Sequence, residues 1–176
     1  MQGTFQRDQL RYLTAAAFFA AMINVAIRFI HIPTGIGQEI VHVGDVLIYL
    51  AACFLPKKYA LVAVAIGGAS ANLLMGFPIW APATAIIKPL IAVWFINKGP
   101  ILTKWHACAL VIAGVINAGL YYVYGSIVVS GNWITHLPGI TTNLFIQSGG
   151  SAVIFILLAA TFDKTNLKKR LGLESA

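Results

Sequence analysis

The sequence predicts an all-α integral membrane protein, a bundle of six transmembrane helices with the N and C termini both cytoplasmic. Three observations predict it. Of the 176 residues, 59% are hydrophobic and only 10% charged, and the mean hydropathy is +0.84, whereas a soluble domain carries about 25% charged residues. The apolar residues fill long runs instead of alternating or keeping one stripe, as they do in helices whose every neighbour is lipid or another helix. Ten of the twelve Lys and Arg residues, finally, lie in the two termini and in alternate connections between those runs.

Taken in order, a polar segment, Met1 to Arg11, runs straight into a first span at 10–30. No short apolar stretch with a small-residue cleavage site precedes it, so no cleavable signal peptide is expected. Further spans are expected at 41–55, 59–76, 83–97, 105–129 and 140–162, taking about 20 residues per crossing. The second and fourth are short; each is expected to cross a thinned region or to begin beneath a loop that dips inward. The breaks, HIPTGIGQE, PKK, GFPIWAP, NKGP and SGNWITHLPG, are rich in turn-forming residues. No internal repeat, low-complexity tract or soluble domain is visible, and residues 1–176 read as a single membrane domain.

The net charge of +7 would suit a nucleic-acid partner, but its placement argues for topology. Arg7 and Arg11 precede the first span, Lys57 and Lys58 follow the second, Lys98 and Lys104 follow the fourth, and Lys164, Lys168, Lys169 and Arg170 follow the sixth. The other three connections hold no Lys or Arg, which is the positive-inside pattern for two cytoplasmic termini. The tail after Asp163 is expected on the inner membrane surface. This leaves Arg28 and Lys88 as the basic residues within spans, both in the outer half. His31, Glu39, Trp80, Trp133 and His136 lie in the outer loops. Polar chemistry is gathered at the outer face, where a pocket is therefore expected.

Each polar residue in a span has a bland and a functional reading. Asp45 either caps the second helix or touches a ligand, because intramembrane acids usually face a cavity; His42 stands nearer the interface. Lys88 either snorkels outward or faces a pocket, a reading favoured by Pro89, whose ring bends a helix and frees a carbonyl. Arg28 is expected to snorkel or to pair with Asp45 or Glu39. Asn143 and Gln147 share a helical face at a spacing of four, with Asn72 at a similar depth; such amides either bond between helices or meet a ligand. Trp80 and Trp133 are belt residues or rings that cover a flat ligand, and one of Tyr121 and Tyr122 is expected to face the cavity. In the first span, Ala16 with Ala20 and Ala17 with Ala21 form small-xxx-small pairs, suited to internal packing or to docking a separate membrane subunit. Cys53 and Cys108 lie in apolar runs and read as buried small hydrophobes, with no metal role.

Several classes lack their signatures. There is no G-x-x-x-x-G-K-[ST] phosphate loop, no H-E-x-x-H and no G-x-S-x-G, so no catalytic residue, cofactor or metal is predicted. Nothing suggests an inverted-repeat carrier with paired broken helices.

The segments HVGDVLIYLAACFLP (42–56), GGASANLLMGFPIWAPATAIIKPL (67–90) and LPGITTNLFIQSGGSAVI (137–154) resemble the substrate-binding S components of energy-coupling factor (ECF) vitamin transporters. The likeness in motif order covers nearly the whole chain. It is closest to the branch that handles riboflavin, hydroxymethylpyrimidine or vitamin B6. Two positions depart from it: Pro89 where glycine follows the lysine, and Asn72 where aspartate is common. The resemblance implies a six-helix bundle that captures a vitamin from outside, then associates with a transmembrane coupling subunit and two ATPase subunits that hydrolyse the ATP. It implies docking through Ala16, Ala17, Ala20 and Ala21 and release of the ligand by toppling in the membrane. The expected pocket uses His42, Asp45, Asn72, Lys88, Asn143 and Gln147 to read ring substituents and Trp80 or Trp133 to stack, beneath a lid formed by HIPTGIGQEIV. A pyridoxine-type or hydroxymethylpyrimidine ligand suits an acid and an amine best; riboflavin as the substrate, or a self-sufficient carrier, are the alternatives.

Overall fold

The computed structural model describes residues 2–33, 40–96 and 99–173. Glu39 and Lys98, and with them the centre of the expected lid, lie outside the described residues.

A helical segment stands at each place where the sequence predicts one. Helix α1 (Gln2–Phe29) is followed by a short antiparallel pair, β1 (His31–Pro33) and β2 (Ile40–His42), in register His31↔His42. Then come α2 (Gly44–Phe54) and α3 (Lys57–Leu74). A tight turn at Pro78–Trp80 leads into α4 (Ala81–Ala92), which passes through Pro89 and tightens again at Val93–Phe95. Helix α5 (Lys104–Tyr124) runs on as a π-helical turn, Gly125–Val129. The last long segment is compound: α6 (Leu137–Thr141), a π-helical stretch Thr142–Ser148, and α7 (Gly149–Lys164). Helix α8 (Leu167–Arg170) closes the chain.

Four of these segments, Arg7–Phe29, Pro78–Phe95, Lys104–Val129 and Leu137–Lys164, are long and apolar enough to cross a membrane. Helix α2 is apolar but has eleven residues, about 16 Å at 1.5 Å per residue, against a hydrocarbon core of about 30 Å. Its shortness goes with centrality. Ten of its residues are buried, so it is apolar all round because protein surrounds it. Tyr49 of α2 stacks on Phe95 at 4.2 Å between centroids, and Phe155 of α7 meets both rings edge-on. On the outside, Phe18, Ile86, Val111, Phe145 and Leu157 are exposed, as lipid-facing side chains are.

Helices α1 and α3 pack closely because Gly67 has no side chain. A Cβ there would stand 2.7 Å from the Ala20 carbonyl oxygen and 3.0 Å from Ile23 Cβ, and a backbone oxygen has nowhere to go. Asn24 adds a hydrogen bond to Ser70 at 2.8 Å. The alanines of α1 therefore divide: Ala16 is buried and Ala20 half-buried against α3, whereas Ala17 and Ala21 are exposed. Cys53 is buried as expected, but Cys108 is exposed. An apolar run does not say which of its faces meets lipid, and Cys108 falls on that face of α5.

At the end opposite β1 and β2, the Asp163 carboxylate accepts from the N–H groups of Ile101 and Leu102, both at 2.8 Å. Lys168 is buried and donates to the Gly99 carbonyl at 3.2 Å. Asp163→Ala strips the acceptors from two backbone donors, one of them on fully buried Ile101. Hydrogen bonds to charged groups are worth about 1.5–3 kcal/mol, so a loss of about 2 kcal/mol is expected. Thermal unfolding in detergent checks this, with Asp163→Asn, which keeps one acceptor, falling in between.

Candidate functional site

Four elements converge beneath β2. Asp45 lies in the first turn of α2 and is buried, and no side-chain hydrogen bond caps that helix N-terminus. Lys88, a buried residue of α4, donates to Asp45 Oδ1 at 2.6 Å and to Asn117 Oδ1 of α5 at 2.9 Å. Gln147, on the π-helical stretch, donates to Asp45 Oδ2 at 2.8 Å. Both carboxylate oxygens are thus engaged, and the pair's opposite charges cancel. Two charges so deeply buried persist only when each is paired and hydrogen-bonded, a condition that Asn117 and Gln147 complete. Arg28 does not pair with Asp45; its guanidinium lies 5.1 Å from the Phe29 ring centroid.

Gln147 does more than orient Asp45. Its Oε1 accepts the His42 N–H at 2.7 Å, and its Nε2 donates to the His42 carbonyl at 2.8 Å. The amide thereby joins β2 to the last long segment as a neighbouring strand would. The His42 ring turns inward, with Nδ1 accepting from the Gly44 N–H at 3.2 Å.

A second set of bonds sits on Thr84. Its hydroxyl donates to the Trp80 carbonyl at 3.0 Å, a turn back in the chain, and accepts from Asn72 Nδ2 at 2.6 Å. A hydroxyl has one proton, so the 2.8 Å contact with Tyr121 has the tyrosine as donor. The Tyr121 ring also lies 5.3 Å from the Lys88 ammonium, within the range of cation–π attraction.

These groups border one cavity of about 80 Å³. Its lining includes His42, Asn72, Trp80, Thr84, Lys88, Tyr121, Tyr122, His136, Asn143 and Gln147, with Ile27 and Phe77 as apolar wall. Of the residues singled out in the sequence, His42, Asn72, Trp80, Lys88, Asn143 and Gln147 come together here, and both candidate tyrosines line the space. Asp45 stands behind the wall, as the group that holds Lys88. Trp133 is not brought in: its ring packs on Tyr122 at 5.6 Å and half of its surface is exposed. Asn143 donates to the Gly139 carbonyl at 3.0 Å, within its own helix. Sequence reasoning passed over Asn117 and Thr84. Asn117 had a signal, a lone amide in an apolar run; Thr84 had none beyond its place in the WAPAT segment. Among the described residues no group of three His, Cys, Asp or Glu side chains is placed to hold a metal ion.

Among the described residues of the site no side chain is set as a nucleophile beside a base, and the Asp45 carboxylate is neutralised by the Lys88 amine. An apolar-walled space with a few convergent polar groups is the design of a small-molecule site.

Neither a curated protein nor a solved structure matches the chain. A family model described as ECF-type riboflavin transporter, S component, matches residues 8–164, nearly the whole chain and all the elements that border the cavity. The chain therefore belongs to the S components of ECF transporters, multi-pass proteins of the prokaryotic plasma membrane that bind the substrate and are not themselves enzymes.

Proposed function

We propose that this chain captures a small, neutral, single-ring vitamin at the outer face and delivers it through an ECF module of one transmembrane coupling subunit and two ATPases. In this reading all six helical segments, α2 included, lie in the membrane with both termini inside. His42, Asn72, Trp80, Lys88 and Asn143 touch the ligand, while Asp45 and Gln147 position Lys88 and His42. Trp133 stands at the rim on Tyr122. The exposed Ala17 and Ala21 dock the coupling subunit.

The observation that carries the reading is the neutralised Lys88–Asp45 pair at the wall of a cavity. Among the described residues in and behind the cavity wall, Asp45, occupied on both oxygens, leaves no acid to hold a cationic ring, and Lys88, committed to Asp45, leaves no free cation to await an anion. Lys88 keeps one N–H for an acceptor on the ligand. Size narrows the choice. At about 80 Å³ the cavity is small beside the about 300–1,000 Å³ of typical ligand pockets. That suits one substituted six-membered ring, as in vitamin B6 or hydroxymethylpyrimidine. Riboflavin is the second reading, favoured by the description of the matching family; its three rings and ribityl chain require the site to open further.

Isothermal titration of the purified chain alone against pyridoxine, hydroxymethylpyrimidine, riboflavin and thiamine tests the proposal. Micromolar or tighter binding of one of the two single-ring compounds is expected. Tight binding of riboflavin alone replaces the first reading with the second, and silence across the panel from folded protein overturns both.

A further inference from the structure

Resting on that capture reading, we infer that the cavity has a second hydrogen-bonding pole, Trp80 Nε1 with His136 Nε2, which receives a hydroxyl group carried on an arm of the ligand. Both atoms are shut off from solvent and have no hydrogen-bond partner, and both residues line the cavity. Buried polar atoms in native proteins nearly always have a partner. Two such orphans on residues that line one small cavity mark a place where a partner is missing.

The two rings are held, not loose. They meet edge-on with centroids 6.1 Å apart, and Trp80 also rests on Tyr121 and Tyr124 at 5.9 and 5.7 Å. Tyr124 anchors the turn that carries Trp80 by donating to the Ile79 carbonyl at 2.7 Å. Gly125 makes the arrangement possible: a Cβ there would stand 2.9 Å from His136 Nδ1 and 3.0 Å from Trp80 Cη2. The absent side chain is the space the two rings occupy.

The chemistry of the orphans selects the group. An indole N–H only donates, and His136 Nε2 complements it as an acceptor in the tautomer whose proton sits on Nδ1. A hydroxyl is the smallest group that serves both, its oxygen accepting from Trp80 and its proton going to His136. A phosphate or carboxylate arm would satisfy the indole but bring a charge to a cavity whose lysine is already neutralised by Asp45. The pole therefore reads a free hydroxymethyl arm and rejects its phosphate ester.

The test is a cycle of two ligands and two proteins. Hydroxymethylpyrimidine is compared with its 5-methyl analogue, and pyridoxine with 4-deoxypyridoxine, on wild type and on Trp80→Phe, which keeps a ring and removes the N–H. Removing the hydroxyl is expected to weaken binding to wild type about tenfold. Trp80→Phe is expected to weaken the hydroxylated ligand by a similar factor and the methyl analogue by less than twofold. His136→Phe supplies an independent second variant with the same expected pattern, and unchanged melting temperatures show that both fold. Equal loss for both ligands would mean that Trp80 only stacks, and the pole is overturned. Equal binding of both ligands by wild type overturns it too, while leaving the capture reading intact; failure of wild type to bind any of the four overturns both.

Discussion

Lys88→Met alone is expected to destabilise the protein by about 3–5 kcal/mol and to abolish vitamin binding, whereas Lys88→Met combined with Asp45→Asn recovers most of the stability but none of the binding. The single variant leaves the Asp45 carboxylate buried with Gln147 as its remaining partner, and an uncompensated buried charge is costly on this scale. The double variant removes both charges, and Gln147 can still donate to the amide oxygen at position 45. The recovery separates the pair's role in folding from its role in recognition. Thermal unfolding in detergent or nanodiscs reads the first, titration with the vitamin the second. Wild-type melting of Lys88→Met would show that the pair across α2 and α4 is not formed in the folded protein.

Ala21→Trp and Ala17→Trp are expected to cut vitamin uptake by cells carrying the full transporter more than tenfold, and to leave binding by the purified chain within twofold of wild type. Both residues lie on the exposed side of α1, so the indole adds bulk where a coupling subunit would approach and disturbs nothing inside. Ala16→Trp and Ala20→Trp behave differently. Ala16 is buried, and Ala20 sits where α1 comes nearest Gly67, so these variants lose folded protein and binding together. Overpacking of this kind costs typically 1–3 kcal/mol per site. Full uptake by Ala21→Trp would remove this face of α1 from the docking surface.

The places of the helices were legible because long apolar runs and turn-rich breaks are properties of neighbouring residues. What the breaks do not encode is how a connection is used. The HIPTGIGQEIV stretch reads as a loop, yet its ends pair as β1 and β2, which delays the start of α2 to Gly44. Asp45 and Lys88 stood out singly, each as an ion in an apolar run. Their partnership spans 43 positions and depends on two helices meeting at that height, which no local pattern specifies. The same limit hid Asn117, whose importance comes from the lysine beside it. Gln147 was found for its polarity, but its principal task, binding the backbone of His42, is visible only in three dimensions. Trp133 shows the same limit from the other side: an aromatic in an outer loop fits a belt residue or a ring that covers a ligand, and nothing in the sequence says that its ring will rest on Tyr122. The two π-helical stretches, which flank the cavity on α5 and on the last long segment, have no signature in residue type; such turns recur near functional sites.

The order in which the ribosome makes the pair has a consequence of its own. Asp45 leaves the ribosome well before Lys88, so the short α2 must meet the insertion machinery carrying an unneutralised acid. An acid in the first turn opposes insertion by less than the about 2.5–3.5 kcal/mol of one at mid-helix, yet eleven residues offer little to offset even that. Helix α2 is thus poorly equipped to partition into lipid alone, and α4 carries the mirror-image burden in Lys88. Their joint entry as a hairpin with α3 between them, held at the translocon until the lysine arrives, lets neither charge face lipid unaccompanied. A nascent chain halted before Lys88 emerges should therefore leave α2 accessible to aqueous thiol or amine reagents, and one halted after it should not.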